Sequence, residues 1–413
     1  MPSSAHHARH AVVICSVLCG LSAAAPAGGQ HPERRAAVAA KSTTGTLVAL
    51  PPIVQPGRST AAPPGTSQLV ATFRPARAGN LVALQRDTRR GWRTVATGVQ
   101  DRSGSAAFDV RPGVYRARVA ATRRTTSART GRVSTQPWST TFEDTFSGST
   151  LDGSVWNDQV RMHESVWAPR TCGRSDATAR RVAGGVLHLG IAPDPALAGT
   201  TCSYTHPTGS GTHDYFLYSQ VATEHTRFFR HGIIAARIKV QRARGMHSAF
   251  WMLPRDREFV RGDPAGGTEI DIMEYFGERP SGRDTIGTFI HWYDPEWELA
   301  RLGAVFPRAR RVLDRDEEWW DGFHVFSVEW TPEEYVFRVD GREYYRERGA
   351  VSHADSYLVL SMQAVDYELR HLTRDEYDDS AQVDWVRVYD ATSAASRDRS
   401  ASNRSRLGAS ARR

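Results

Sequence analysis

Three carboxylates fall within six residues of the stretch "GGTEIDIMEYFGE", Gly266 to Glu278: Glu269, Asp271 and Glu274. Their spacers Ile270, Ile272 and Met273 are apolar. Side chains alternate in a straight strand, so Glu269, Asp271 and Met273 would share one face and Ile270, Ile272 and Glu274 the other. That register puts a carboxylate among isoleucines, where burial without a partner costs several kcal/mol or forces the group neutral. One extra residue at Ile272–Met273, a β-bulge, returns Glu274 to the face of the other two acids. We therefore expect a bulge around Met273, with the acids on one surface and the isoleucines inward. Two glutamates flanking a bond suit retaining glycoside hydrolysis. One attacks the anomeric carbon while the other protonates the leaving oxygen, across about 5–5.5 Å. Crowding three acids raises at least one pKa and keeps a proton available for the acid role. The plainer alternatives are a solvated surface strand and a cation site.

A strand that carries such a motif needs a rigid sheet around it. From about Ser139 to Ala391 strand-like runs dominate: "GIIAARIKV", "HSAFWML", "TIGTFIHWY", "FHVFSVEW", "YLVLSMQ" and "VDWVRVYD". Helical periodicity is nearly absent, which argues for an all-β sandwich. Residues 66–121 hold shorter alternating runs separated by turns, which read as a small antiparallel module. Its pattern resembles the immunoglobulin-like modules attached to exported bacterial enzymes. Residues 28–65 and 122–138 read as linkers. Residues 392–413 have no apolar content to bury and read as a disordered basic tail.

At 413 residues the chain is long enough for two or three domains. The formal charge is +8, nearly all of the positive charge arginine, with Lys41 and Lys239 the only lysines. The arginines are scattered, so no nucleic-acid partner is expected. Residues 1–27 carry a short apolar run and a small-residue site, Ala25–Ala27, as a secretory signal does. No later segment reaches about 18 apolar residues. The expectation is a secreted, extracellular monomer without membrane insertion. Cleavage would remove Cys15 and Cys19, leaving Cys172 and Cys202 as an even pair that we expect to form a disulfide.

Several segments occur in a telling order: "FEDTFSGSTLDGSVWN", "FFRHGIIAARIKV", "GMHSAFWMLP", "GGTEIDIMEYFGE", "GTFIHWYD", "FHVFSVEWTPEEYVFRVDG" and "VDWVRVYD". The series, over roughly residues 140–391, resembles glycoside hydrolase family 16, in its laminarinase-like branch with the bulged Glu-x-Asp-x-x-Glu motif. The resemblance implies a concanavalin-A-like β-jelly-roll with the acidic strand on the floor of a cleft. It implies Glu269 as nucleophile, Glu274 as acid/base, and Asp271 as the residue that holds Glu269 and tunes its proton. Trp251 matches a cleft tryptophan, with a core tryptophan as the alternative. His291 and Trp292 match a segment that contributes a cleft histidine beside the acid/base. Gln363 sits where the family strand faces the cleft, whereas Trp319 and Trp320 read as packing. No cofactor is implied for catalysis. A structural calcium ion is implied on the convex face, held by Asp384, by carbonyls near Gly185 and with help from Glu143.

The departures concern the sugar. His247 and Ser248 stand where the family has a sugar-contacting Trp and a Pro, and Ala235 replaces a glutamate. His247 is therefore a candidate substrate-binding residue of altered type. The partner expected is a polysaccharide, and the activity a retaining endo-β-glycosidase. A β-1,3-glucan is the leading substrate. The alternatives are an agar-type β-galactan, transglycosylation on the same residues, a glycan-binding protein without turnover, and a surface adhesin.

Overall fold

The run "GIIAARIK" does not alternate between apolar and polar residues, which marks a strand covered on both faces. In the computed structural model, which describes residues 40–57, 62–135, 137–160, 169–255, 262–279 and 286–390, this strand is Gly232–Lys239. It lies in the middle of an antiparallel sheet, between Ala381–Tyr389 and His324–Trp330. Ile234, Ala236 and Ile238 point into the main core, while Ile233 and Ala235 belong to a second cluster on the opposite face. A second large sheet packs against the first across that main core. Its order runs Phe216–Ala222, Ser356–Gln363, His247–Pro254, Glu269–Tyr275, Ile286–Tyr293, Leu299–Phe306. The described residues are strands with short 3-10 turns, so the all-β expectation holds.

The N-terminal module is two small antiparallel sheets around their own core of Leu69, Phe73, Val82, Leu84 and Tyr115. Its boundaries differ from those expected. Thr44–Leu50, inside the expected linker 28–65, is a strand paired along its whole length with Ser67–Arg74. Ala128–Arg129 and Val133–Thr135, inside the expected linker 122–138, pair with Gly113–Val119. The reason is physical: "TGTLVAL" alternates, and Leu47 and Leu50 find cores to enter. Proline-rich neighbours hid that pattern in the sequence. The expected signal segment 1–27 and tail 392–413 lie outside the described residues.

The described residues form one compact unit. The second cluster joins the module to the sandwich: Leu50, Ile53 and Val70 pack on Ile233, Val325, Trp385 and Tyr389. Each such apolar side chain is worth roughly 1.5–3 kcal/mol when fully buried. Arg237 secures the seam by donating from Nε to the Gln55 carbonyl at 2.9 Å and from Nη2 to the Gly57 carbonyl.

Candidate active site

Both neighbours of the acidic strand report the same irregularity. On one side Phe250 pairs with Met273 and Trp251 with Asp271, which leaves Ile272 unopposed. On the other, Asp271 pairs with Phe289 and Glu274 with Gly287, three steps against two. The bulge therefore lies at Ile272–Met273. Ile270, Ile272 and Met273 are all fully buried in the core. Glu269 and Glu274 are half-buried and Asp271 is 3% exposed. Gly287 leaves room for this: a Cβ there would meet the Phe289 ring at 3.0 Å and Glu274 Cβ at 3.4 Å.

The three carboxyls are electrostatically linked. Burial, then the Asp271 carboxylate, pushes Glu269 up to about 8; Glu274 adds to this, while His291 and Arg170 oppose it. Burial and Glu274 raise Asp271 well above the carboxylate range. A proton on Asp271, the most buried of the three, removes the second-largest push on Glu269 and leaves it easier to ionise. Ligand atoms of Glu269, Asp271 and His291 lie within 4.8 Å of one another. His291 Nε2 is 3.3 Å from Asp271 Oδ2, and His247 Nε2 is 2.9 Å from Glu274 Oε1.

The expected substrate-binding residues divide by strand parity. His247 and Trp251 lie on the acids' side of their strand, and Gln363 on the same side of Ser356–Gln363. Trp251 donates from Nε1 to Ser361 Oγ at 3.1 Å and packs with Leu253, Tyr357 and Phe228, so it is walled in rather than open. His291 opposes Glu269 and touches Asp271; the histidine beside Glu274 is His247 instead. Trp292 is a correction. One residue on from His291, it has the opposite parity and packs against the main core with Ile290. Trp319 and Trp320 also belong to that core.

Gln363 belongs to a chain of buried amides along the floor. Arg170 Nε donates to Gln363 Oε1, and Gln363 Nε2 to Gln220 Oε1 at 2.9 Å. Gln220 Nε2 then donates to Gln159 at 2.6 Å, and Gln159 Nε2 to Glu224 at 2.8 Å. A cation at one end and a carboxylate at the other orient every amide between them. Arg170 is fixed in turn by its loop. Asp366 accepts from Thr171 N at 2.9 Å and gives its own N–H to the Pro169 carbonyl at 2.9 Å. Two residues after Arg170, Cys172 is bonded to Cys202 as expected, with Cα atoms 5.6 Å apart.

Sequence reasoning missed Arg170, Tyr293 and Trp297. Tyr293 shares the parity of His291, and its phenol is raised by burial and by Glu269. Trp297, on the next turn, is 55% exposed, lies 5.9 Å from the Tyr293 ring and has φ +67°. The period-two count from His291 could have found Tyr293; an isolated Trp in "DPEWE" carried no such signal.

The implied calcium site does not fit these residues. Arg237 Nη1 already lies 2.5 Å from Asp384 Oδ2, and Arg387 Nε 2.7 Å from Glu143 Oε1. A guanidinium occupies the place of a cation at each carboxylate, and a divalent ion beside it would meet like charge.

A two-sheet β-sandwich with a bulged strand that brings three carboxyls to one face has the makings of a glycosidase site. Residues 204–386 match the family described as Glycosyl hydrolases family 16. Glucan endo-1,3-beta-glucosidase A1 of Niallia circulans is 24% identical over 209 residues, 50% of this chain and 29% of that protein. Beta-glucanase of Rhodothermus marinus is 30% identical over 131 residues, 31% of this chain and 41% of that protein. The chain thus spans well under half the length of these relatives. The laminarinase structure from Rhodothermus marinus covers 61% of this chain and 97% of its own, at 20% identity and a TM-score of 0.48.

Proposed function

We propose that this protein is a secreted retaining endo-β-glycosidase that hydrolyses a β-1,3-glucan, on a jelly-roll sandwich with an immunoglobulin-like accessory module. The observation that carries the reading is the bulge at Ile272–Met273, which brings Glu269, Asp271 and Glu274 to one face. In the first step the Glu269 carboxylate bonds to the anomeric carbon and the glycosidic C–O bond breaks. Glu274 gives its proton to the departing oxygen. In the second, water attacks the anomeric carbon, the ester to Glu269 breaks, and Glu274 takes the water's proton. Asp271, held near neutral, donates to Glu269 and limits the negative charge around it. The names of the relatives from Niallia circulans and Rhodothermus marinus support the choice of glucan.

A second reading is glycan binding without turnover. A beta-1,3-glucan-binding protein of Penaeus monodon is 33% identical over 116 residues, 27% of this chain and 30% of that protein. The paired glutamates favour turnover. Incubating the full chain with laminarin, mixed-linkage β-glucan and agarose, and following reducing ends, tests the proposal. Release from laminarin that Glu269→Gln abolishes is the expected result. Retention of laminarin without release would favour binding alone, and release from agarose only would move the substrate to a β-galactan.

A further inference from the structure

Two of the three acids each have a histidine beside them. Asp271 has His291, on the strand to one side; Glu274 has His247, on the strand to the other. His247 is 8% exposed, and its ring lies flat on Phe276, with centroids 4.2 Å apart and planes 21° from parallel. Its Nδ1 has no hydrogen-bond partner among the described residues. The contact from Nε2 to Glu274 Oε1 is short but is not aligned as a hydrogen bond. The stack fixes the plane of the ring, and that plane fixes the nitrogen against one oxygen of the carboxyl. Oε2 is then the oxygen left to meet a substrate. A general acid works only when its proton sits within hydrogen-bond reach of the leaving oxygen, so a rotating carboxyl loses rate.

We propose that His247 is a positioning residue for the acid/base step: its Nε2, 2.9 Å from Oε1, biases the Glu274 carboxyl electrostatically, without an aligned hydrogen bond, so that Oε2 delivers the proton to the leaving oxygen. This rests on the glycosidase reading given above. The proton passes from Glu274 to the glycosidic oxygen as the C–O bond breaks and returns from the attacking water. His247 neither gains nor loses one. Its place beside the carboxyl also replaces the sugar-contacting role expected for that position.

The test compares two leaving groups in the full chain. Laminarin needs a proton on its departing oxygen; 2,4-dinitrophenyl β-laminaribioside does not, because its phenolate leaves unaided. The variants are His247→Phe, which keeps the stack on Phe276 without the nitrogen, and His247→Ala. On laminarin both should lose about 10- to 100-fold in kcat/KM, a share of what a general acid contributes. On the dinitrophenyl glycoside both should lose less than about threefold. Equal losses on the two substrates, or none on laminarin, would overturn the proposal. Wild-type protein that cleaves neither would sink the glucanase reading instead. The His247 ring resonances of wild type and Glu274→Gln then decide: a displacement supports the contact, and unchanged resonances overturn it.

Discussion

Arg237 and Asp384 face each other on the outer sheet, Nη1 to Oδ2 at 2.5 Å, and the same guanidinium reaches the carbonyls of Gln55 and Gly57. One side chain thus neutralises the carboxylate and ties down the segment that leads from the module onto the sandwich. Arg237 is 3% exposed and also lies over the Phe323 ring, so its charge is satisfied in a dry place.

This arrangement predicts stability without calcium. Adding calcium or a chelator should leave the thermal midpoint unchanged. Arg237→Ala should cost about 3 kcal/mol, the lower end for breaking a buried pair because Asp384 keeps some access to water. Urea unfolding monitored by tryptophan fluorescence measures the loss. A rise in the midpoint with calcium would show that a metal site exists after all.

Glu269 should couple stability to pH. Its pKa rises from 4.5 in the unfolded chain to about 8 in the fold, so the native state binds the extra proton between those values. Stability therefore falls as pH climbs from about 4.5 to about 8. Glu269→Gln cannot ionise and should flatten that slope while lowering turnover at least about 1,000-fold. Chemical denaturation at several pH values reads the first effect; Asp271, raised as well, keeps part of the slope, and a slope left unchanged by the substitution would contradict the assignment.

Trp297 should act as a platform for sugar. An exposed indole in a left-handed backbone conformation, beside Tyr293 and so near Glu269, is poorly explained by packing. Trp297→Ala should raise KM about tenfold, roughly 1.4 kcal/mol, with little change in kcat and in the melting midpoint. Steady-state kinetics on laminarin settle it; an unchanged KM would leave the residue without this role.

The disulfide should matter twice. Closing a loop across 30 residues of separation is worth about 3–4 kcal/mol in the chain-entropy model. Cys172→Ala with Cys202→Ala should lose about that much. It should also raise KM, because the Arg170 loop loses one of its anchors. Denaturation and kinetics on the same double variant separate the two effects.

The sequence made the bulge legible because parity is strict: an acid between isoleucines has one inexpensive solution. The disulfide followed from counting cysteines. Trp292 went to the wrong face although the same parity rule covered it, since a match to a pattern of residues took precedence over the count from His291. The amide chain from Arg170 to Glu224 was not legible. Its members stand at 159, 220 and 363, far apart in sequence, and only strand order brings them together. The seam between module and sandwich was hidden for a related reason. "GIIAARIK" says that both faces are covered, not what covers the second.

That seam decides where the chain can be cut. A fragment beginning at Ser139 would strip the cover from Ile233, Val325, Trp385 and Tyr389 and leave Arg237 without its backbone acceptors. The exposed patch would be sticky, and the fragment should aggregate where the whole chain does not. Excision for crystallisation, or transplantation of the cleft into another enzyme, therefore has its workable start before Lys41 rather than between the two cores.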